Sequence, residues 1–302
     1  MGGAVLTPNL VKVVHALGLA QSLDKISHQP NRAQVRFGRS AYLLSELPLG
    51  RFCSERYGAG LANVDSQALL ELLREDLPSA AFNHTQAPIV ETAAPSSNTA
   101  TAATGAQLYH SVLPLVESTA NANITWLNEH AIAWQFSTLE QTHFYFYIQQ
   151  PTAMTPEHWH PSLQAPVQQA KALDLLQQEH TPAENWYQGN IVLAGDAAYA
   201  APAQWREFTH IGLEDAWVLS RMLENYEEEW PQALASYEKY RGARARRITR
   251  NLRLTQNSYS RRKPLQRLAR NLNIALSTRF LPEIAMQRID WHYGHDCIRG
   301  FR

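Results

Sequence analysis

The chain has 302 residues, 45% of them hydrophobic and 18% charged, which suits an ordinary globular protein of one large domain or two interlocked ones. Lys plus Arg and Asp plus Glu number 27 each, so net charge singles out no acidic or basic partner. Two cysteines, Cys53 and Cys297, are too few for a disulfide framework, no apolar run approaches the roughly 18 residues that span a bilayer, and the start lacks a basic, apolar leader; a cytoplasmic protein with reduced thiols is expected. Thr7, Pro8 and the helical spacing of Leu10, Val14 and Leu17 predict a first helix, which Gly18 ends. Residues 34–37 and 41–44 read as short strands. A second helix opens at Asp65 or Ser66, with Leu69, Leu70, Leu72, Leu73 and Leu77 turned inward.

Residues 83–105 are rich in Ala, Thr, Ser and Pro, bury little apolar surface and read as a low-complexity linker. Runs at 107–113, 123–127, 130–136 and 143–148 then suit an antiparallel sheet, the last being His-Phe-Tyr-Phe-Tyr-Ile. Its alternation puts Tyr145 and Tyr147 on one face and Phe144 and Phe146 on the other, with no indication of which face lines a pocket. A helix is predicted over 162–178. The run 191–194, closed by Gly195-Asp196, has the form of a buried parallel strand with a functional turn at its carboxyl end. From Gly212 onward the pattern is mostly helical.

The block Asn190-Ile191-Val192-Leu193-Ala194-Gly195-Asp196-Ala197-Ala198, followed after a loop by Gly212-Leu213-Glu214-Asp215-Ala216, carries the chemistry. It resembles the single-component, FAD-dependent aromatic hydroxylases of the salicylate-hydroxylase-like kind. Gly3 to Asn9 with Ala16-Leu17-Gly18-Leu19, and Asp290 to Asp296, are similar to other stretches of that family. The resemblance implies that Asp196 accepts hydrogen bonds from the ribityl chain of FAD, with Gly195, Ala197 and Pro202 around it. Gly212 and Leu213 would open a helix whose positive end faces the flavin pyrimidine, where negative charge gathers on reduction. It also implies NAD(P)H as co-substrate and a small aromatic compound as the molecule hydroxylated. Tyr199 and His210 are candidates for catalysis by position alone.

The resemblance further implies an α/β fold, a truncated FAD-binding domain of Rossmann-like type with an antiparallel-sheet substrate domain and a helical C-terminus. Residues 1–82 and 186–302 would form the FAD-binding remnant and C-terminal helices, and 106–185 the substrate domain.

Several family features are missing. No Gly-x-Gly-x-x-Gly turn occurs, and no Asp-Gly lies in the linker. Asp65 stands where the family has an Arg. Arg206-Glu207-Phe208 and His210 replace a Gly-Gln-Gly and an Asn in the flavin loop, and Tyr199 replaces a common His. Three readings therefore stand side by side: a flavin monooxygenase, a cofactor-free relative that binds a ligand or partner, and a truncated gene product.

Twelve cations between Lys239 and Arg270 read as solvated helix faces and not as a nucleic-acid surface. The pairs His158/His160 and His292/His295 lack a third ligand at metal-binding spacing, so no metal is expected. The oligomeric state is not legible.

Overall fold

The computed structural model describes residues 2–75, 89–91, 106–173, 185–189, 191–199, 210–227, 229–259, 263–280 and 282–301, with Asp196 described in its backbone only. Strand β1 (Gly3–Leu6) pairs antiparallel with β5 (Ala62–Asp65), which carries β2 (Ser27–His28) on its other edge. Helix α1 (Pro8–Ala16) starts with Pro8 in its first turn, and Gly18 follows it at φ +82°. Thr7 does not cap it; its hydroxyl donates instead to Asn9 Oδ1 at 2.7 Å. Ala4, Leu6, Leu10, Val14, Leu23, Val64, Leu69 and Leu72 form one buried cluster with α2 (Ala20–Ile26) and α4 (Ser66–Glu75).

A seven-stranded sheet runs in the order β11-β7-β10-β9-β8-β3-β4. Its members are β3 (Arg32–Phe37), β4 (Leu43–Pro48), β7 (Gln107–Pro114), β8 (Ala122–Leu127), β9 (Ala131–Ser137), β10 (Gln141–Ile148) and β11 (Lys171–Ala172). Every pair is antiparallel except β3 with β8. The open question of facing is resolved by packing. Phe144, Phe146 and Ile148 lie among Trp159, Leu163 and Val167, against helix α5 (Pro161–Gln169). Tyr145 and Tyr147 pack with Leu108, Phe136 and Val5 on the other face, toward β1.

The helix predicted over 162–178 stops at Gln169. Ala170 turns extended, and Lys171 and Ala172 pair with His110 and Tyr109 of β7. Those ladder bonds would be forgone if the helix continued; residues 174–178 lie outside the described residues.

In the third sheet β13 (Ile191–Leu193) is central. It is antiparallel to β12 (Tyr187–Gln188) and parallel to β6 (Ile89–Glu91). Three residues of the stretch read as a linker thus form a strand; the rest of 83–105 lies outside the described residues. Helices α6 (Gly212–Asn225) and α7 (Trp230–Tyr259) cover this sheet through Trp217, Val218, Leu234, Tyr237 and Ile248. Helix α3 (Gly50–Tyr57) packs through Cys53 and Tyr57 against Met286 of α9 (Pro282–Tyr293), and α8 (Pro264–Phe280) lies beside β4. Among the described residues no helix is long and apolar enough to cross a membrane.

Candidate flavin site

Val192 in the centre of β13 is fully buried, and the chain leaves the strand in a single 3-10 turn, Gly195–Ala197. Gly195 has φ +56°, a left-handed conformation that side chains resist. A Cβ on Gly195 would sit 3.7 Å from the Cα of Gly212, and one on Gly212 would sit 3.9 Å from the Cα of Gly195. The turn and the start of α6 are therefore in contact.

Asp215 fastens that contact. Its Oδ2 accepts from the Gly195 N–H at 2.7 Å, and its Oδ1 accepts from the Tyr199 hydroxyl at 2.8 Å and Arg241 Nε at 2.6 Å. Arg241 Nη2 donates to the Tyr199 hydroxyl at 2.9 Å. Next to it, Glu214 accepts from Asn9 Nδ2 at 2.6 Å and Arg244 Nη2 at 3.2 Å, and pairs with Arg241 Nη1 at 2.7 Å. Arg244 also donates to the carbonyl of Trp291 at 2.7 Å and lies 3.1 Å from His292 Nδ1, while His295 Nε2 stands 3.6 Å from Glu214. Glu214, Asp215 and Arg241 are all 0% exposed. Arg241 and Arg244 lie one turn apart on α7; Arg241 meets both carboxylates and Arg244 meets Glu214.

Burial decides the electrostatics. It resists ionisation of Glu214, but Arg241 and Arg244 overcome it and hold the carboxyl well below its ordinary range. For Asp215 burial is the larger effect and its pKa is raised. Tyr199 is pushed well above 10 by burial and then by Asp215. Burial, followed by Arg244, lowers His292 to about 3, and burial lowers His295 to about 4. Glu214 is thus held ionised, and His292 and His295 are held neutral, near neutral pH.

Of the residues predicted from sequence, Gly195, Ala197, Gly212 and Leu213 come together here. Leu213 packs between the β1–β5 cluster and the α6–α7 cluster. The backbone of Asp196 lies in the turn; its side chain, and Pro202 with the rest of 200–209, lie outside the described residues. Tyr199 is committed to Asp215 and Arg241, which gives it a structural role. His210 has φ +33°, and its carbonyl accepts from Leu213 N at 3.2 Å, so it shapes the entry to α6. Asp65, the reversed charge, accepts from the N–H groups of Gln67 at 2.8 Å and Ala68 at 3.1 Å, and so caps α4. Asn9, Arg241, Arg244, His292 and His295 went unrecognised; the cations were lost in the long basic run.

The inner face of the seven-stranded sheet meets β1 close by. His110 Nε2 lies 3.3 Å from His143 Nδ1, and Phe136 stacks on His143 with centroids 5.3 Å apart. A Cβ on Gly3 would come within 2.7 Å of Phe136 Cε2 and 2.8 Å of His143 Cδ2, so only glycine lets β1 approach this wall.

A strand ending in a Gly-Asp turn is here clamped to the start of a helix, within a fold shared by flavin monooxygenases of known structure. The chain's homologues are FAD-dependent aromatic hydroxylases. It is 26% identical over 305 residues to 3-amino-4-hydroxybenzoate 2-monooxygenase PtnB3 of Streptomyces platensis, covering 83% of this chain and 77% of the relative. It is 31% identical over 111 residues to salicylate hydroxylase of Pseudomonas putida, covering 36% of this chain and 24% of that enzyme. Its fold matches Klebsiella pneumoniae HpxO complexed with FAD and uric acid, with a TM-score of 0.78, 15% identity, and coverage of 95% of this chain and 87% of that one. No protein-family model matches the chain.

Proposed function

We propose that this chain is a FAD-dependent monooxygenase that hydroxylates a small aromatic compound, with NAD(P)H as the electron source. The observation that carries the reading is the Gly195 turn held against the first turn of α6 by Asp215. Sequence similarity to aromatic hydroxylases and the fold of an FAD-bound enzyme support it. The described residues fit the flavin end of the cofactor. A glycine turn in the left-handed region leaves room for a polyol chain, and a helix start offers its positive end.

In this reading Asp196 holds the ribityl chain, and the backbones of Gly195 and Ala197 and the Pro202 loop line it. Gly212 and Leu213 present the α6 start to the pyrimidine edge. When bound, the flavin supplies the redox chemistry and oxygen activation. The chain's own part is to orient the aromatic ring and to exclude water from it. No base is assigned, because Tyr199 is occupied.

A second reading, a cofactor-free relative acting as a binding or interaction protein, is favoured by one specific observation. Arg206-Glu207-Phe208 stands in the flavin loop where the resembled family has Gly-Gln-Gly. The deciding experiment titrates purified protein with FAD and with FMN, following the visible flavin spectrum, and then tests aromatic acids for stimulated NAD(P)H consumption. The monooxygenase reading expects saturable FAD binding with a perturbed visible flavin spectrum. No spectral change with either flavin at millimolar concentration sinks it in favour of the second reading.

A further inference from the structure

Helix α8 turns its polar side inward. Arg267 donates to Glu129 Oε1 at 2.7 Å, and Asn271, Ile274 and Thr278 share that half-buried side, with Ile274 reaching the cluster of Phe136 and Tyr145. No residue of α8 is buried. The opposite side carries Leu265, Leu268, Leu272, Leu276 and Phe280, which are 80, 56, 51, 52 and 67% exposed. At 3.6 residues per turn these five fall within an arc of about 120°. Large apolar side chains on the outer face of a helix with a polar inner face call for a cover.

We propose that the cover is a second copy of this chain, its α8 packed antiparallel on the first across a two-fold axis at Leu272. The spacing itself argues for this occupant. A two-fold contact requires a patch that maps onto itself, so that residue i meets j while j meets i. Leu268 and Leu276 flank Leu272 by four residues each way, and Leu265 and Phe280 by seven and eight. Antiparallel pairing therefore sets Leu268 against Leu276 twice, Leu265 against Phe280 twice, and Leu272 against itself. Within the arc the single charged position is Arg279, at one end, so no like charges meet at the axis. The exposed surface of the five side chains is on the order of 550 Å² per copy. Pairing removes at most roughly 1,100 Å² in all, close to the ~1,000 Å² that marks a specific interface. Interhelical packing at 8–10 Å suits leucines of this spacing.

Sedimentation of the full chain up to about 100 µM, well within the range of a micromolar association, should reveal a species of twice the monomer mass. Leu272→Arg places two guanidinium groups on the axis and should leave a monomer with an unchanged circular dichroism spectrum, since Leu272 is already half exposed. Leu272→Cys should form a disulfide-linked dimer on mild oxidation, whereas Leu265→Cys should not link to itself, its partner lying about 21 Å along the helix. The native Cys53 and Cys297 are buried and stay out of this reaction. A wild type that remains monomeric overturns the proposal, as does a Leu272→Arg variant that still dimerises. Monomeric binding to phosphatidylcholine–phosphatidylserine vesicles that Leu272→Arg abolishes also overturns it and assigns the face to lipid.

Discussion

Asp215 spends its carboxylate on three donors from two separate segments: the Gly195 amide and the Tyr199 hydroxyl of one turn, and Arg241. One residue earlier, Glu214 accepts from Asn9 and Arg244 and forms an ion pair with Arg241. Two negative and two positive groups balance inside a fully buried cluster, so removing one leaves its partners charged and undersatisfied. Glu214→Gln should lower stability by about 3–5 kcal/mol, the usual cost of breaking a buried pair from one side. Urea unfolding reads this, and a change below ~1 kcal/mol would show that the pair is not coupled as described. The motif Glu-Asp-Ala was legible in the sequence because its distance from Gly-Asp is fixed by the fold. Its partners were not. Tyr237, Arg241, Arg244 and Ile248 occupy one buried face of α7 at intervals of four, three and four. A search for apolar periodicity passes over the two arginines in that pattern, and a charge count cannot say which cations point inward.

At the scale of elements, local pattern predicted the strands β7 to β10 to within two residues, since each alternates cleanly or is dense in aromatics. The partnership of β3 and β4 with them was invisible: Arg32 pairs with Ala122 and Phe37 with Leu127 across 90 residues of chain, and nothing local encodes that register. The end of α5 was misjudged for a related reason, because an edge of β7 was waiting for Lys171 and Ala172. Asp65 shows the converse. As a departure from a family pattern it looked like damage, yet its carboxylate caps two amides at the head of α4. Asp65→Ala should cost about 1 kcal/mol and Asp65→Asn only a few tenths, measured as shifts in thermal midpoint. Equal shifts for the two would mean that charge, not capping, is what the helix uses.

Across the whole molecule four histidines share one behaviour. Burial lowers His110, His143 and His295 to about 4 and His292 to about 3, from an ordinary 6.5. Below pH 6.5 the unfolded chain takes up protons that the folded chain refuses until about pH 4. Stability should therefore be full above pH 6.5 and fall steadily as the pH drops from 6.5 toward 4. Glu214, with its lowered pKa, adds a further loss below its ordinary range, and Asp215, raised by burial, opposes it there. Unfolding free energies measured at about pH 7.5 and about pH 5 test this; equal values would mean that these rings titrate as exposed ones do. The architecture class was readable from strand, turn and helix in the right order, whereas the outward leucine face of α8 was not, because helical spacing alone cannot tell a core side from a bare one.

The Gly195 amide is already bonded to a carboxylate that a guanidinium and a phenol hold still. Conformational freedom in that turn is thus surrendered on folding, so a flavin bound there, as proposed, would meet a backbone already set instead of having to mould one.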